Sequence, residues 1–155
     1  MSAVIPAHYQ YAAIPHIMID GAAAAMEFYG NAFGAEELMR IARPDGRILH
    51  AEMRIGGSVV MMGDVEKPFV SPQVAGGTTV GLHIYVEDVD ALHDRAVVAG
   101  VTSMQPPTDM FHGDRTTILR DPFGHMWVFL THLHDIPIHD LVVQGEASLR
   151  TGNRD

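Results

Sequence analysis

The sequence predicts an α+β domain built from two βαβββ repeats. Sliding the chain by 67 places sets His16-Ile17-Met18-Ile19 over His83-Ile84-Tyr85-Val86, the Asp45-Gly46 turn over His112-Gly113, and Gly56-Gly57 over Phe123-Gly124. In each copy a short β-rich run is followed by one helical pattern and then by three strand-like runs. At 155 residues, 47% hydrophobic and 19% charged, the chain has the size and composition of one globular domain. A chain of that length buries enough surface to fold without a metal or disulfide, so any metal would serve chemistry.

Repeat one is placed at 13–63. The run IPHIMI reads as a strand, and Ala22 to Phe33 as a helix, because Ala22, Ala25, Met26, Tyr29 and Phe33 recur at helical spacing before the Gly34 stop. Strands are expected around Glu37 to Ala42, Arg47 to Ile55 and Ser58 to Met62, with Asp45-Gly46 as a hairpin signal. Residues 64–79 hold two prolines and Gly76-Gly77 with little periodicity, and are read as the linker. Repeat two is placed at 80–132. GLHIYV is its first strand. Asp88 is positioned to cap a helix carrying Val89, Leu92, Ala96 and Val97, and Gly100 ends it. Strands follow around Thr102 to Met104, Arg115 to Arg120 and His125 to Leu130. An N-terminal arm (1–12) and a C-terminal tail (133–155) lie outside the repeats, as frayed ends or as arms that pack on a partner.

Composition excludes several function classes. Ten Lys+Arg against nineteen Asp+Glu give a formal charge of −9, with no basic cluster to grip a phosphate backbone, so nucleic acid is not an expected partner. The absence of cysteine excludes thiol catalysis, thiolate metal sites and disulfides. The opening MSAVIPAHYQ lacks a basic stretch followed by an apolar run, and no apolar stretch approaches a membrane span. A cytoplasmic protein without membrane contact is expected.

Strand alternation names the residues that face away from the helices. Ile17 and Ile19 suit the helix side of the first strand, leaving His16 and Met18 opposite. Leu82, Ile84 and Val86 likewise leave His83 and Tyr85. In His50-Ala51-Glu52-Met53-Arg54-Ile55 the polar set is His50, Glu52 and Arg54. Trp127 and Phe129 read as core, which places Met126, Val128 and Leu130 on the face of His83. Such alternation also describes a merely solvated sheet face, and a histidine taken singly is commonly a satisfied core residue. The equivalent places of His16 and His83 in a duplication favour a site. His8, His93, His132, His134 and His139 carry no functional weight. Asp114 and Arg115 read first as a hairpin turn, with a lip over a cavity as the alternative. Asp121-Pro122-Phe123-Gly124 reads as a tight structural turn, and the ten methionines as adaptable core.

The segments AMEFYGNAFGAEE, RILHAEMRIGGSVVMMGD, GLHIYVEDVDALHDRAVVAG and above all GDRTTILRDPFGHMWVFLTH resemble the PhnB-like branch of the vicinal oxygen chelate superfamily, which includes glyoxalase I, extradiol dioxygenases, fosfomycin-resistance enzymes and bleomycin-binding proteins. The resemblance covers roughly Ala13 to His132. It implies a cupped mixed sheet enclosing a cavity, helices on the convex side, and a homodimer. In the enzymes of the superfamily it also implies a divalent metal held by the first and last strands of each unit. Carried onto this chain, the first-strand positions are His16 and His83, and the last-strand positions are Met61 and Val128. Val128 has no donor atom, and a thioether is a poor ligand for hard or borderline cations. No metal or other cofactor is therefore expected. If one were bound, His16, His83 and Glu52 would be its ligands.

The expected function is binding or sequestration of a small molecule. Its ligand-binding set is His16, Met18, His50, Glu52, Arg54, Met61, His83, Tyr85, Phe111, His112, Met126 and Val128, a mixture of apolar walls and a few polar groups. The alternative is an enzyme on the same fold, either a metal-free acid–base catalyst or a metal-dependent isomerase, lyase or transferase using His16, His83 and Glu52. In the metal-free form a neutral imidazole of His16, His50 or His83 would take a proton while Glu52 or Arg54 orients it or stabilises developing charge.

Overall fold

The computed structural model describes residues 13–151, so the expected N-terminal arm lies outside the described residues. The order is β1 (His16–Ile19), α1 (Ala22–Phe33), β2 (Glu36–Ala42), β3 (Ile48–Ile55), β4 (Ser58–Asp64), α2 (Pro72–Ala75), β5 (Gly81–Tyr85), α3 (Val89–Ala99), β6 (Thr102–Asp109), β7 (Asp114–Arg120), β8 (Met126–His132) and α4 (Ile138–Thr151). Two four-stranded sheets result, β1-β4-β3-β2 and β5-β8-β7-β6. In each, the first pair is parallel and the others antiparallel. The duplication is written in the register. His16 lies opposite Met61 and Ile17 opposite Met62; displaced by 67 residues, His83 lies opposite Val128 and Ile84 opposite Phe129.

Local chemistry sets the helix ends. Gly21 takes φ 85° ahead of α1, and the side chain of Asp64 accepts from Gly21 N at 3.0 Å, Ala22 N at 3.2 Å and Ile48 N at 2.6 Å. One carboxylate thus ties the start of α1 to β3 and the end of β4. Asp88 accepts from Ala91 N at 2.9 Å and caps α3 as its position predicts.

A single core joins the halves. Tyr29 and Phe33 of α1 place their rings 5.2 and 5.1 Å from Trp127, and Phe33 lies 4.9 Å from Phe129. Buried Asp121 accepts from Tyr29 Oη at 2.7 Å, Trp127 Nε1 at 2.8 Å, and the backbone N–H groups of Phe123 and His125 at 2.9 Å each. Four donors satisfy a carboxylate that burial would otherwise leave without partners. The turn expected at 121–124 is therefore also the polar pin between repeats.

Three elements differ from expectation. β6 continues to Asp109 through Pro106 and Pro107, which an edge strand tolerates because its pairing with β7 is interrupted between Gln105 and Thr108. The linker contains one helical turn, α2, whose buried Ser71 accepts from Val74 N and donates to Asp20. The tail contains α4, with Ile138, Leu141 and Val142 at helical spacing. Among the described residues no helix is long and apolar enough to cross a membrane.

Candidate functional site

The faces turned away from the shared core carry the candidate residues. On the first sheet His16, Met61 and Glu52 form one cross-strand row, with His16 opposite Met61 and Met61 opposite Glu52. The His50 ring meets the His16 ring edge-on at 5.5 Å, and His50 Nε2 lies 3.4 Å from Glu52 Oε1. His16 is exposed, yet partial desolvation of its ring, reinforced by the neighbouring His50, holds the imidazole below its ordinary pKa, which favours its neutral form. His50, Glu52, Met18 and Met61 are half-buried. This is where three titratable side chains of the expected set converge.

Arg54 points along the same strand but leaves this group, donating to Glu36 of the edge strand at 2.8 Å. Both side chains are exposed, so the pair contributes little to stability.

On the second sheet the equivalent row is apolar. His83 lies opposite Val128, and Val128 and Leu130 are buried without belonging to the shared core. Met126, at the start of β8, is half-buried. The polar groups gather at the other end, on Asp114. Its carboxylate accepts from Tyr85 Oη and His132 Nδ1, both at 2.8 Å, and faces His112 Nδ1 at 3.2 Å. Burial opposes the Asp114 charge, yet the hydrogen bonds from His132 and Tyr85 outweigh it and hold its carboxyl below the ordinary range. The same bonds push Tyr85 up, and Asp114 with Asp135 pushes His132 up. Phe111 is exposed, its ring 5.5 Å from that of His112.

Asp114, read from sequence as a turn residue, is instead the first residue of β7 and is buried. His132, given no weight, is its partner. The actual turn ends one residue earlier, at Gly113 with φ 90°. Alternation along β7 puts Asp114 on the face of Thr116 and Ile118, but nothing local announces that Tyr85 and His132 reach it.

The candidate residues do not share one cavity. His16 and Met18 line a cavity of about 550 Å³ between β1 and the linker. His83 lines one of about 350 Å³ with Pro15 and Val60. Arg54 and Tyr85 border a groove of about 990 Å³ that also meets Arg95 and His132. The strand positions that the sequence resemblance assigns to a metal do not carry a full donor set. His16 and His83 face a thioether and an aliphatic chain across their strands, and no group of three or more His, Asp or Glu among the described residues is arranged to hold an ion.

Known proteins carry the same architecture. The model of the Glyoxalase/Bleomycin resistance protein/Dioxygenase superfamily matches residues 7–129. Uncharacterized protein Rv0887c of Mycobacterium tuberculosis is 43% identical over 118 residues, covering 73% of this chain and 69% of that protein. The crystal structure of TioX from Micromonospora sp. ML1 superposes with TM-score 0.64 at 28% identity, over 81% of this chain and 99% of that one. A PhnB protein from Bacillus cereus (TM-score 0.56, 19% identity, 77% and 98% of the chains) shares the fold, as does FosX, a fosfomycin resistance protein from Listeria monocytogenes complexed with Mn(II) and sulfate (TM-score 0.58, 14% identity, 88% and 98%). A repeated βαβββ register, one core pinned by Asp121 and a match spanning most of its length make this chain a member of the glyoxalase/bleomycin resistance protein/dioxygenase superfamily.

Proposed function

We propose that the chain binds or sequesters a small molecule on the outer face of its first sheet, without a catalytic metal. The observation that carries this reading is the convergence of His16, His50 and Glu52 beside half-buried Met18 and Met61. Apolar walls with a few placed polar groups are the usual make-up of a ligand site. The superfamily's own description includes bleomycin resistance, which fits a protein that captures a compound. The chain works as a homodimer in the cytoplasm. Leu38, Met39 and Ile41 of edge strand β2 are left exposed in one stretch, as at a surface that a second copy covers.

The 3.4 Å approach of His50 to Glu52 favours one second reading, an acid–base enzyme with His50 as base and Glu52 orienting it. A thermal-shift screen of metabolites and natural-product antibiotics identifies the ligand, since a compound that binds only the folded state raises the melting point. Mass spectrometry of the recovered compound then separates the readings: unchanged means binding, altered means catalysis. Elemental analysis is expected to find no stoichiometric transition metal. Metal at one per chain, with function lost in EDTA, would overturn the metal-free part. Light scattering is expected to give a dimer mass.

A further inference from the structure

The cavity between β1 and the linker has a chemistry of its own. Among the described residues lining its roughly 550 Å³ there is no Asp, Glu, Lys or Arg, although the chain carries 29 such side chains. Its walls are Met18, Phe69, Val70, Pro72, Val80 and Leu82. Three of these are large apolar side chains left open to water: Phe69 at 58%, Val70 at 55% and Val80 at 60% exposure. Exposed apolar side chains are unremarkable singly, but three around one cavity mark a surface that gains by being covered.

The polar groups at the cavity are also uncharged in character. His125 is buried, burial lowers its pKa, and its Nε2–H donates to the Met18 carbonyl at 3.2 Å. That bond fixes the neutral ring against β1. Thr78 Oγ1 is turned to its own segment, donating to Val80 O at 3.3 Å and accepting from Val80 N at 3.2 Å. A carboxylate or ammonium entering here would lose water and meet no counter-charge, a cost that a neutral apolar molecule avoids. Both walls belong to one chain, and the volume lies within the range of small-molecule pockets.

We infer that the β1–linker cavity is a binding site for an uncharged, predominantly apolar small molecule, with Phe69 and Val70 of the linker and Val80 just before β5 as its outer wall. The cavity shares His16 and Met18 with the site proposed above but neither His50, Glu52 nor Met61, so either can fail alone. The probes are N-phenylnaphthylamine, which is neutral, and its sulfonated analogue anilinonaphthalene sulfonate, which has nearly the same skeleton and a negative charge. The full chain is expected to bind the neutral dye saturably, at one per chain and at least about tenfold more tightly than the sulfonate. Val80→Glu should weaken the neutral dye about tenfold or more, while Val98→Glu, an exposed apolar position on α3 outside the cavity, should leave it unchanged. If Val80→Glu does not fold, Thr79→Glu on the same lining replaces it. His50→Ala should not alter dye binding, which keeps this result separate from the polar row. Equal affinity for the two dyes, equal effects of Val80→Glu and Val98→Glu, or no saturable binding of the neutral dye would each overturn the inference.

Discussion

The outer faces of the two repeats share a backbone and differ in chemistry. On the first sheet the row beside His16 is Met61 then Glu52; on the second the row beside His83 is Val128 then Ile118. Where His50 stands two residues before Glu52, Thr116 stands two before Ile118. Thr116 Oγ1 is the buried side-chain polar atom left without a hydrogen-bond partner among the described residues. The two repeats therefore keep one register, and the first carries a polar pair where the second carries a hydroxyl and an aliphatic chain. The second sheet keeps its polar groups at one end, on Asp114, and the first keeps them mid-face. A repeated fold supplies two equivalent platforms, and the residues at matched positions decide the chemistry that each presents.

The largest expected effect breaks what the two repeats share. Trp127→Ala should cost roughly 3–5 kcal/mol in chemical denaturation, because it empties the core against Tyr29 and Phe33 of α1 and removes a donor from Asp121. A change confined to one repeat would mean that the halves fold independently.

Ligand affinity should then separate the faces. His16→Ala or His50→Ala is expected to weaken the compound found by screening about tenfold or more, as loss of a charge-assisted or buried polar contact does. His83→Ala, on the apolar face, should change it by less than about threefold. Calorimetry on the three variants checks this, and a reversed order would move the site to the second sheet.

A smaller effect tests the exchanged hydroxyl. Thr116→Val should be neutral or stabilise by about 1 kcal/mol, since it removes a buried polar atom that makes no bond within the described residues. Destabilisation by a similar amount would show that the hydroxyl is satisfied in solution.

The smallest effect is a difference in titration. His16 is lowered by partial desolvation and by His50, and His132 is raised by Asp114 and Asp135. Proton NMR should find His16 titrating below, and His132 above, the ordinary value near 6.5. By linkage, the neutral preference of His16 costs stability as pH falls below that ordinary value. The stability from His132 is fully present below it and is lost as pH rises through the folded value. Asp114→Asn should return His132 toward the ordinary value and leave His16 unmoved.

Much of the fold was legible because its signals are local. The helix stops at Gly34 and Gly100, the cap at Asp88 and the core face of Trp127 and Phe129 each follow from a residue's own conformational or packing preference. Alternation also put His16, His50 and Glu52 on one face, since side-chain direction in a strand has period two. The Asp114 group was not legible: Tyr85 lies 29 residues before it and His132 18 after, and Gly113 made the segment look like nothing more than a turn. The helical turn α2 escaped because four residues carry no periodicity.

The sequence by itself determined the repeat, the order of the elements within it, the ends of α1 and α3 and which side chains leave the core face. These depend on φ preferences, on spacing and on hydrophobic period. Only the tertiary structure decided that His16 and His83 serve different cavities, that Asp121 pins one repeat to the other, and that the linker walls a cavity free of charged residues among those described. Those outcomes rest on contacts between residues far apart in the chain, and a pattern of one residue against its neighbours holds no information about which distant surface it will meet.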